Sequence, residues 1–216
     1  FIPRFTGGKL AYACISMTDE TGGAASENPL LGGSGITTTA KLEGDEYVIN
    51  GAKSWPTHGG IAECYLTVCN TDPTAGDDGI ALIYVPKDTP GLTFGEPEKK
   101  MLFKTSVNSS IYYNNVRVPK EYRLAGPGMD ANIYHFFEAG TGWHSTGMAL
   151  GVAQRAFDIV LEYTGTRTGG HKPVRQHSMV AGIIADMAIG LDMMRASYYN
   201  LSMMMDNLDF YGPPWS

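Results

Sequence analysis

The first half of the chain alternates apolar and polar residues in short segments that are separated by Gly, Pro, Asn and Asp. A period of two is typical of strands with one buried face, and such separators are typical of turns. We therefore predict a series of strands from Leu10 to about Pro119 that folds as an antiparallel β-barrel or sandwich. The segments are YACISM, TTTAKLEG, EYVINGAKSW, CYLTVCNT, GIALIYVP, LTFGEP and SSIYYNNVRVP.

After the segment AGPGMD, the apolar residues recur at helical spacing instead. Stripes that include Phe157 and Ile183 predict one long helix over residues 131–164 and another over about 175–207. The link between them, GTRTGGHKPV, is polar and rich in glycine, and we place its Pro173 near the start of the second helix. Two long helices joined by a short link are expected to pack antiparallel, which leaves one face for further chain or another subunit to cover. The predicted fold class is α+β.

Composition narrows the class of protein without indicating a function. With 216 residues, 43% of them hydrophobic, and a net charge of −6, the chain has an ordinary soluble composition and lacks the basic balance expected of a nucleic-acid-binding protein. No apolar run approaches the roughly 20 residues that span a bilayer. The cysteines, Cys14, Cys64 and Cys69, and the scattered histidines indicate neither a disulfide framework nor a metal site, and they favour a reducing compartment such as the cytoplasm.

The main candidate for ligand chemistry is the segment NGAKSWPTHGG, residues 50–60. Trp55 and Thr57 are two residues apart, so in an extended segment they share one face, where an aromatic ring beside a hydroxyl suits a planar ligand. By chemistry alone, a strand tryptophan is more readily explained as a core residue. Pro56 cannot donate to a sheet ladder, so we expect an edge or a bulge there. The sequence carries neither a Rossmann nor a P-loop phosphate motif.

Six segments, taken in their order and spacing, resemble the acyl-CoA dehydrogenase family over nearly the whole chain. That family has an N-terminal helical domain, a middle β-domain and a C-terminal four-helix bundle. The resemblance implies that residues 1–125 are the middle β-domain and residues 126–216 the first two helices of the bundle, without the N-terminal helical domain or the end of the bundle. The segments are MTDE with GAAS, LEGDEYVINGAKSWPTHGGIAECYLTVCNTDP, GIALIYVPKDTPGL, YYNNVRVPKEYRL, GMALGVAQRAFDIVLEYTGTR and IIADMAIGLDMMRASYYN.

The resemblance implies FAD-dependent α,β-dehydrogenation of an acyl-CoA thioester, a reaction of fatty acid metabolism. In that reaction a carboxylate removes the α-proton while the β-hydrogen leaves as hydride to flavin N5. By the same resemblance, Trp55 and Thr57 flank the isoalloxazine, with the Thr57 hydroxyl bonded near N5. Met17 and Thr18 match the strand end that bonds the flavin's pyrimidine edge. Arg167 matches an arginine that reaches the FAD pyrophosphate of a neighbouring subunit.

The resemblance also implies residues for substrate binding and for the base. Ser26 matches the serine near the CoA moiety, with Ser34 as a rival. The family's base is most often a glutamate in the last part of the bundle, which would lie beyond Ser216. A minority of the family carries the base on the first long helix, where the matching position is Thr141. Glu138, one helical turn before Thr141, is therefore a substitute candidate.

Departures from the family pattern leave several interpretations open. Near Arg167, Gly170 replaces an aromatic residue and His171 replaces a glycine. These changes fit an unusual substrate, groups supplied by a partner subunit, or a non-catalytic subunit of a heteromeric enzyme. Same-fold acyl-CoA oxidases, reductases and flavin monooxygenases are further alternatives, and the small residues Gly140 and Gly142 leave space for a bulky or cyclic acyl group. The resemblance implies an electron-transfer flavoprotein as partner, a homo- or hetero-oligomer (dimer or tetramer), and the bacterial cytoplasm or the mitochondrial matrix as location.

Overall fold

The computed structural model describes residues 5–8, 10–23 and 35–212. The chain divides into two compact units, Phe1–Tyr134 and His135–Ser216. Unit 1 holds a β-sheet and the first turns of a long helix, while unit 2 holds the rest of that helix and a second long helix. The predicted α+β class is confirmed. Within the described ranges, no helix combines the length and the apolar character that crossing a membrane requires.

The core of unit 1 is a seven-stranded mixed sheet. Its strands are β1 (Ala13–Ser16), β2 (Thr39–Glu43), β3 (Glu46–Lys53), β4 (Cys64–Asn70), β5 (Ile80–Pro86), β6 (Leu92–Phe94) and β7 (Ile111–Pro119). The strand order is β1-β4-β2-β3-β7-β6, and β5 pairs with β4. Short 3₁₀ turns precede β5, at Gly76–Gly79, and follow β7, at Lys120–Tyr122.

Most strand pairs are antiparallel, as predicted, but β4 pairs in parallel with β1 and, through Asn70 and Thr39, with β2. Because β5 lines β4 along its whole length, β1 and β2 both meet the opposite edge of β4. The prediction of a purely antiparallel sheet is wrong at this edge. Alternation within one strand shows which side chains are buried, but it carries no information about the direction of a partner that is distant in sequence.

The sheet buries apolar side chains on both faces of β4 and β5. One cluster takes Tyr65 and Cys69 from β4 and Ile83 from β5, together with the inward residues of β3 and β7. The other cluster contains Ile36, Leu66, Val68, Ile80, Leu82, Ala131 and Tyr134. The last two belong to the start of the first long helix. This two-sided burial explains why CYLTVCN and IALIYVP are almost continuous apolar runs rather than alternating ones.

Both predicted long helices are observed. They are α1 (Met129–Thr166) and α2 (Ser178–Asp206), and a single further turn, α3 (Leu208–Tyr211), follows. Within unit 2, α1 and α2 pack antiparallel as predicted: Trp143 Nε1 donates to Ser202 Oγ at 2.8 Å near one end, and Arg195 donates to Gln154 further along. An apolar gap of about 350 Å³ between the helices is lined by Ala153, Ala156, Phe157, Met187, Gly190, Leu191 and Met194.

Ile183 of the predicted α2 stripe is 55% exposed, whereas Met187, Leu191 and Met194 of the same helix line the gap. One local prediction in the helical unit is wrong. Pro173 does not lie at the start of α2, because the link contains a small hairpin of β8 (Thr168–Gly169) and β9 (Lys172–Pro173), followed by a 3₁₀ turn at Val174–Gln176. The two residues at the hairpin tip have positive φ angles of 55° and 65°, which is the geometry of a tight hairpin turn.

Candidate functional site

A sharp turn directly after β3 presents Trp55 and Thr57. Trp55 has a φ of 64° and His58 a φ of 67°, left-handed values that cost a residue with a β-carbon about 1–2 kcal/mol each. Trp55 is 52% exposed and Thr57 is exposed, while Pro56 between them is buried. The interpretation of Trp55 as a core residue is therefore wrong. The expectation of one shared strand face is also wrong, because the backbone at Trp55 is not extended.

The side-chain amide of Asn108, which precedes β7, holds this turn. Asn108 Nδ2 donates to Trp55 O at 2.6 Å and to Thr57 Oγ1 at 3.2 Å. Lys100 Nζ donates to the other end of the amide, Asn108 Oδ1, and also to Ser106 O. A charged donor, an amide and a hydroxyl thus form one connected chain of hydrogen bonds that ends at the exposed side chain of Thr57.

Backbone contacts reinforce the same turn. His58 N donates to Val107 O at 2.7 Å, and Thr57 and Asn108 form an isolated β-bridge. Gly59 lies so close to the neighbouring segment that an added β-carbon would sit 2.7 Å from Ser109 O. These contacts offset the strain at the two left-handed residues.

The chain just after β1 forms the second part of the candidate site, at Met17 and Thr18. Thr18 O accepts a hydrogen bond of 2.8 Å from Ser54 N, next to Trp55. Both Met17 and Thr18 are half-buried, and the Thr18 hydroxyl has no hydrogen-bond partner among the residues that the structure describes. This strand end and the Trp55 turn are therefore neighbouring segments of one surface in unit 1.

A buried ion pair next to this strand end fixes its position. Lys53 Nζ lies 2.9 Å from Asp19 Oδ1, neither side chain has exposed surface, and Lys53 also donates to Met17 O at 2.7 Å. Asp19 additionally accepts from the Thr38 hydroxyl at 2.6 Å and from the backbone N–H groups of Thr37 and Thr38 at 3.1 and 3.3 Å. Burial lowers the pKa of Lys53, and the Asp19 carboxylate opposes that shift.

These groups fit a flavin, which has a planar ring with nitrogen and oxygen acceptors at its edges. Trp55 offers an exposed indole against which a planar ring can lie. Thr57 accepts from Asn108, so its own proton is available to a ligand, and the Thr18 hydroxyl has no competing partner among the described residues. Unit 1 therefore combines an exposed aromatic ring with hydroxyl donors, and the hydrogen bonds of Asn108 and the Lys53–Asp19 ion pair hold the segments that carry them.

The other predicted residues lie in unit 2 or outside the described residues. Arg167 directly follows α1 and is exposed, with its guanidinium carbon 5.9 Å from the ring centroid of Tyr163, so its charge is accessible to a phosphate. Thr141 is exposed, and its hydroxyl donates to Glu138 O at 2.8 Å. Ser26 lies outside the described residues.

Glu138 is a partly buried carboxylate on α1. Its Oε2 lies 3.1 Å from His135 Nδ1, and the two side chains are 18% and 14% exposed. Its Oε1 is buried and has no hydrogen-bond partner among the described residues. A carboxylate oxygen in such surroundings is chemically able to accept a proton, which keeps Glu138 a candidate base.

Comparison with known families identifies the chain. The model of the acyl-CoA dehydrogenase middle domain matches residues 14–116, and the model of the acyl-CoA dehydrogenase C-terminal domain matches residues 142–209. The chain belongs to the acyl-CoA dehydrogenase family. The Trp55 turn and all but the outermost strand residues of unit 1 lie within the first match, and most of α1 and all of α2 lie within the second.

Individual acyl-CoA dehydrogenases are similar over most of the chain. Cyclohex-1-ene-1-carbonyl-CoA dehydrogenase of Geobacter metallireducens is 31% identical over 97% of this chain and 53% of its own length. The mitochondrial short-chain specific acyl-CoA dehydrogenase of Mus musculus is 30% identical over 96% of this chain and 48% of its own. The structure of butyryl-CoA dehydrogenase from Megasphaera elsdenii has a TM-score of 0.77 at 28% identity, covering 94% of this chain and 51% of that one. The chain spans about half the length of the curated relatives it matches.

Several supporting residues of this acyl-CoA dehydrogenase chain are not predicted from its sequence. Asn108 is 51 residues from Thr57, and no local pattern connects them. The burial of Lys53 could have been predicted. In an alternating strand, a lysine in phase with Tyr47 and Ile49 points to the inward side, where its charge needs a buried partner. The nature of that partner, Asp19, follows only from the fold.

Proposed function

We propose that the complete protein containing this chain is an FAD-dependent acyl-CoA dehydrogenase that removes the α-proton and the β-hydrogen of an acyl-CoA thioester. Membership of the family supports the general activity. The observation that carries the cofactor assignment is the Trp55–Thr57 turn. A tryptophan ring is usually buried, yet here a strained backbone keeps the ring of Trp55 exposed, together with the hydroxyl of Thr57.

In this proposal the residues of unit 1 bind and orient the flavin. Trp55 forms one wall and excludes water, and the Thr57 hydroxyl donates a hydrogen bond to a ring acceptor. Met17 and Thr18 hold the opposite, pyrimidine edge of the ring. When bound, FAD supplies the acceptor for the hydride that leaves the β-carbon. Arg167 binds the pyrophosphate of the FAD in a neighbouring subunit, which makes the protein an oligomer.

The proposal assigns the remaining chemistry to the complete protein. The α-proton passes to a carboxylate, which we place in the chain after Ser216, as in most of the family. Two electrons leave the enzyme for each substrate oxidised, and an electron-transfer flavoprotein is the proposed acceptor. Ser26 and Thr141 are the proposed contacts to the CoA and acyl portions of the substrate.

For the acyl group we propose a cyclic thioester. Gly140 and Gly142 each cost about 1 kcal/mol relative to alanine in a helix, yet neither has a neighbouring atom within 4 Å of an added β-carbon. Packing against the described residues therefore does not account for them, and we propose that they leave space for a bulky substrate. The similarity to a relative that is named for a cyclohexene thioester supports the same class.

The decisive measurement is the visible absorption of the complete, purified protein. We expect bound FAD and its anaerobic bleaching by a six-membered-ring acyl-CoA, with slower bleaching by butyryl-CoA. Protein that carries no flavin and takes up none from added FAD would contradict the dehydrogenase proposal. Bleaching only by short straight-chain thioesters would contradict the cyclic substrate, and rapid reoxidation of the reduced flavin by oxygen would indicate an oxidase.

The position of the base can be tested at Glu138. In the complete protein carrying Glu138→Gln, we expect the rate of flavin reduction by acyl-CoA to stay within about tenfold of the wild-type rate, because the proposed base lies elsewhere. Glu162→Gln, an exposed glutamate on the same helix, is the matched control. A fall of about 10³-fold or more, with FAD still bound, would instead assign the base to Glu138.

A further inference from the structure

The chain of hydrogen bonds that ends at Thr57 has a defined direction. Lys100 Nζ carries only donors, so the atom of Asn108 that faces it must be the amide oxygen. The amide nitrogen then faces Trp55 O at 2.6 Å and Thr57 Oγ1 at 3.2 Å. The reverse orientation would set Asn108 Oδ1 against the carbonyl oxygen of Trp55 and its N–H groups against an ammonium, which is doubly unfavourable.

This direction determines what the Thr57 hydroxyl can do. A hydroxyl has one proton, and because Asn108 occupies an acceptor position of Thr57 Oγ1, that proton remains available to another group. Thr57 is exposed, so in the free protein this proton faces solvent, and a ligand that displaces the water can accept it. Without Asn108, the hydroxyl would rotate freely and would lose part of its preference for donation to the ligand.

We propose that Asn108 and Lys100 are positioning residues that commit the Thr57 hydroxyl to donate to the bound flavin. Lys100 orients the Asn108 amide, and Asn108 orients Thr57. The inference rests on the proposed function, since it concerns the flavin that Thr57 is proposed to contact. It goes beyond that function because it makes the strength of the contact depend on residues that do not touch the flavin.

A simpler role for Asn108 competes with this proposal. Through its bond to Trp55 O, Asn108 also braces a residue with a φ of 64°. If bracing were its whole contribution, loss of the amide would weaken flavin binding whether or not Thr57 carries a hydroxyl. The two roles therefore differ in whether the effects of changes at Asn108 and Thr57 are independent.

A double-mutant cycle on the complete protein separates these roles. The variants are Thr57→Val, Asn108→Asp and the two combined, and the measurement is the dissociation constant of FAD for the apoprotein, together with the absorption spectrum of the bound flavin. Asn108→Asp is close to isosteric but presents an acceptor to Thr57, which draws the Thr57 proton away from the ligand. We expect each single variant to weaken FAD binding about fivefold to tenfold, the loss of roughly one hydrogen bond.

The expected outcome is coupling. In the Thr57→Val background, Asn108→Asp should cost only about threefold or less, the part that comes from the lost bond to Trp55 O, and it should no longer alter the flavin spectrum. Equal factors for Asn108→Asp in both backgrounds would overturn the positioning role while leaving the flavin site intact. Wild-type protein that binds no FAD would overturn the proposed function as well. If Asn108→Asp does not fold, Lys100→Met replaces it in the same cycle with the same two outcomes, since it frees the amide to rotate without changing Asn108.

Discussion

Lys53→Met in the complete protein is expected to lower the free energy of unfolding by about 3–5 kcal/mol. Lys53 and Asp19 have no exposed side-chain surface, and their charged atoms lie 2.9 Å apart. Removal of the ammonium leaves the Asp19 carboxylate buried with only neutral donors from Thr37 and Thr38. The change also removes the donor to Met17 O, so we expect weaker retention of FAD. Denaturation midpoints and the fraction of flavin that stays bound measure the two effects.

Two further variants test the cause of this loss. Lys41→Met makes the same chemical change at an exposed lysine of β2 and should shift stability by less than about 0.5 kcal/mol. Asp19→Asn combined with Lys53→Met removes both charges and should recover a large part of the loss, because no unpaired charge remains buried. If Lys53→Met were as stable as Lys41→Met, the ion pair could not be what holds the strand end in place.

The fold was predictable where the information is local. A strand with one buried face displays its own period, and so does a helix with one packed stripe, so the change from strands to helices near α1 is visible in the sequence. The hairpin between α1 and α2 could also have been predicted, since Gly170 and His171 form the glycine-containing pair that a two-residue turn favours. The parallel pairing of β1 with β4 could not have been predicted, because it depends on contacts between segments that are remote in sequence.

In the candidate site, too, the sequence predicts local features but not those that depend on distant contacts. Resemblance to a family directs attention to Trp55 and Thr57, but the chemistry of a tryptophan in a strand favours burial. Trp55 is exposed because its backbone is left-handed, and neither Pro56 nor the other neighbouring residues predict that conformation. Asn108 maintains that conformation through its hydrogen bond to Trp55 O. In the sequence, β4, β5 and β6 separate Asn108 from the turn, so only the folded sheet brings the two together. The geometry of the site is therefore a property of the folded sheet.

Asp130→Asn is the second substitution with a large expected effect, a loss of about 3 kcal/mol or more in the free energy of unfolding. Asp130 Oδ2 lies 2.6 Å from Arg123 Nε, the Asp130 side chain has no exposed surface, and that of Arg123 is 11% exposed. The other carboxylate oxygen accepts from Ala125 N at 3.0 Å, and Arg123 also donates to Tyr47 OH and Ile80 O. The pair thus ties the first turn of α1 to the strands of unit 1.

An asparagine at position 130 removes the charge, so a buried guanidinium loses its counter-charge. In either orientation, the amide also sets an N–H group against a donor, which is Arg123 Nε in one case and Ala125 N in the other. Asp45→Asn is the matched control, because Asp45 pairs with Lys120 at 2.5 Å but is 83% exposed. Exposed pairs contribute about 0–1 kcal/mol, so this control should unfold close to the wild-type midpoint. Equal midpoints for the two variants would show that burial does not strengthen the Arg123–Asp130 contact, and the first turn of α1 would then depend on the apolar packing of Ala131 and Tyr134 instead.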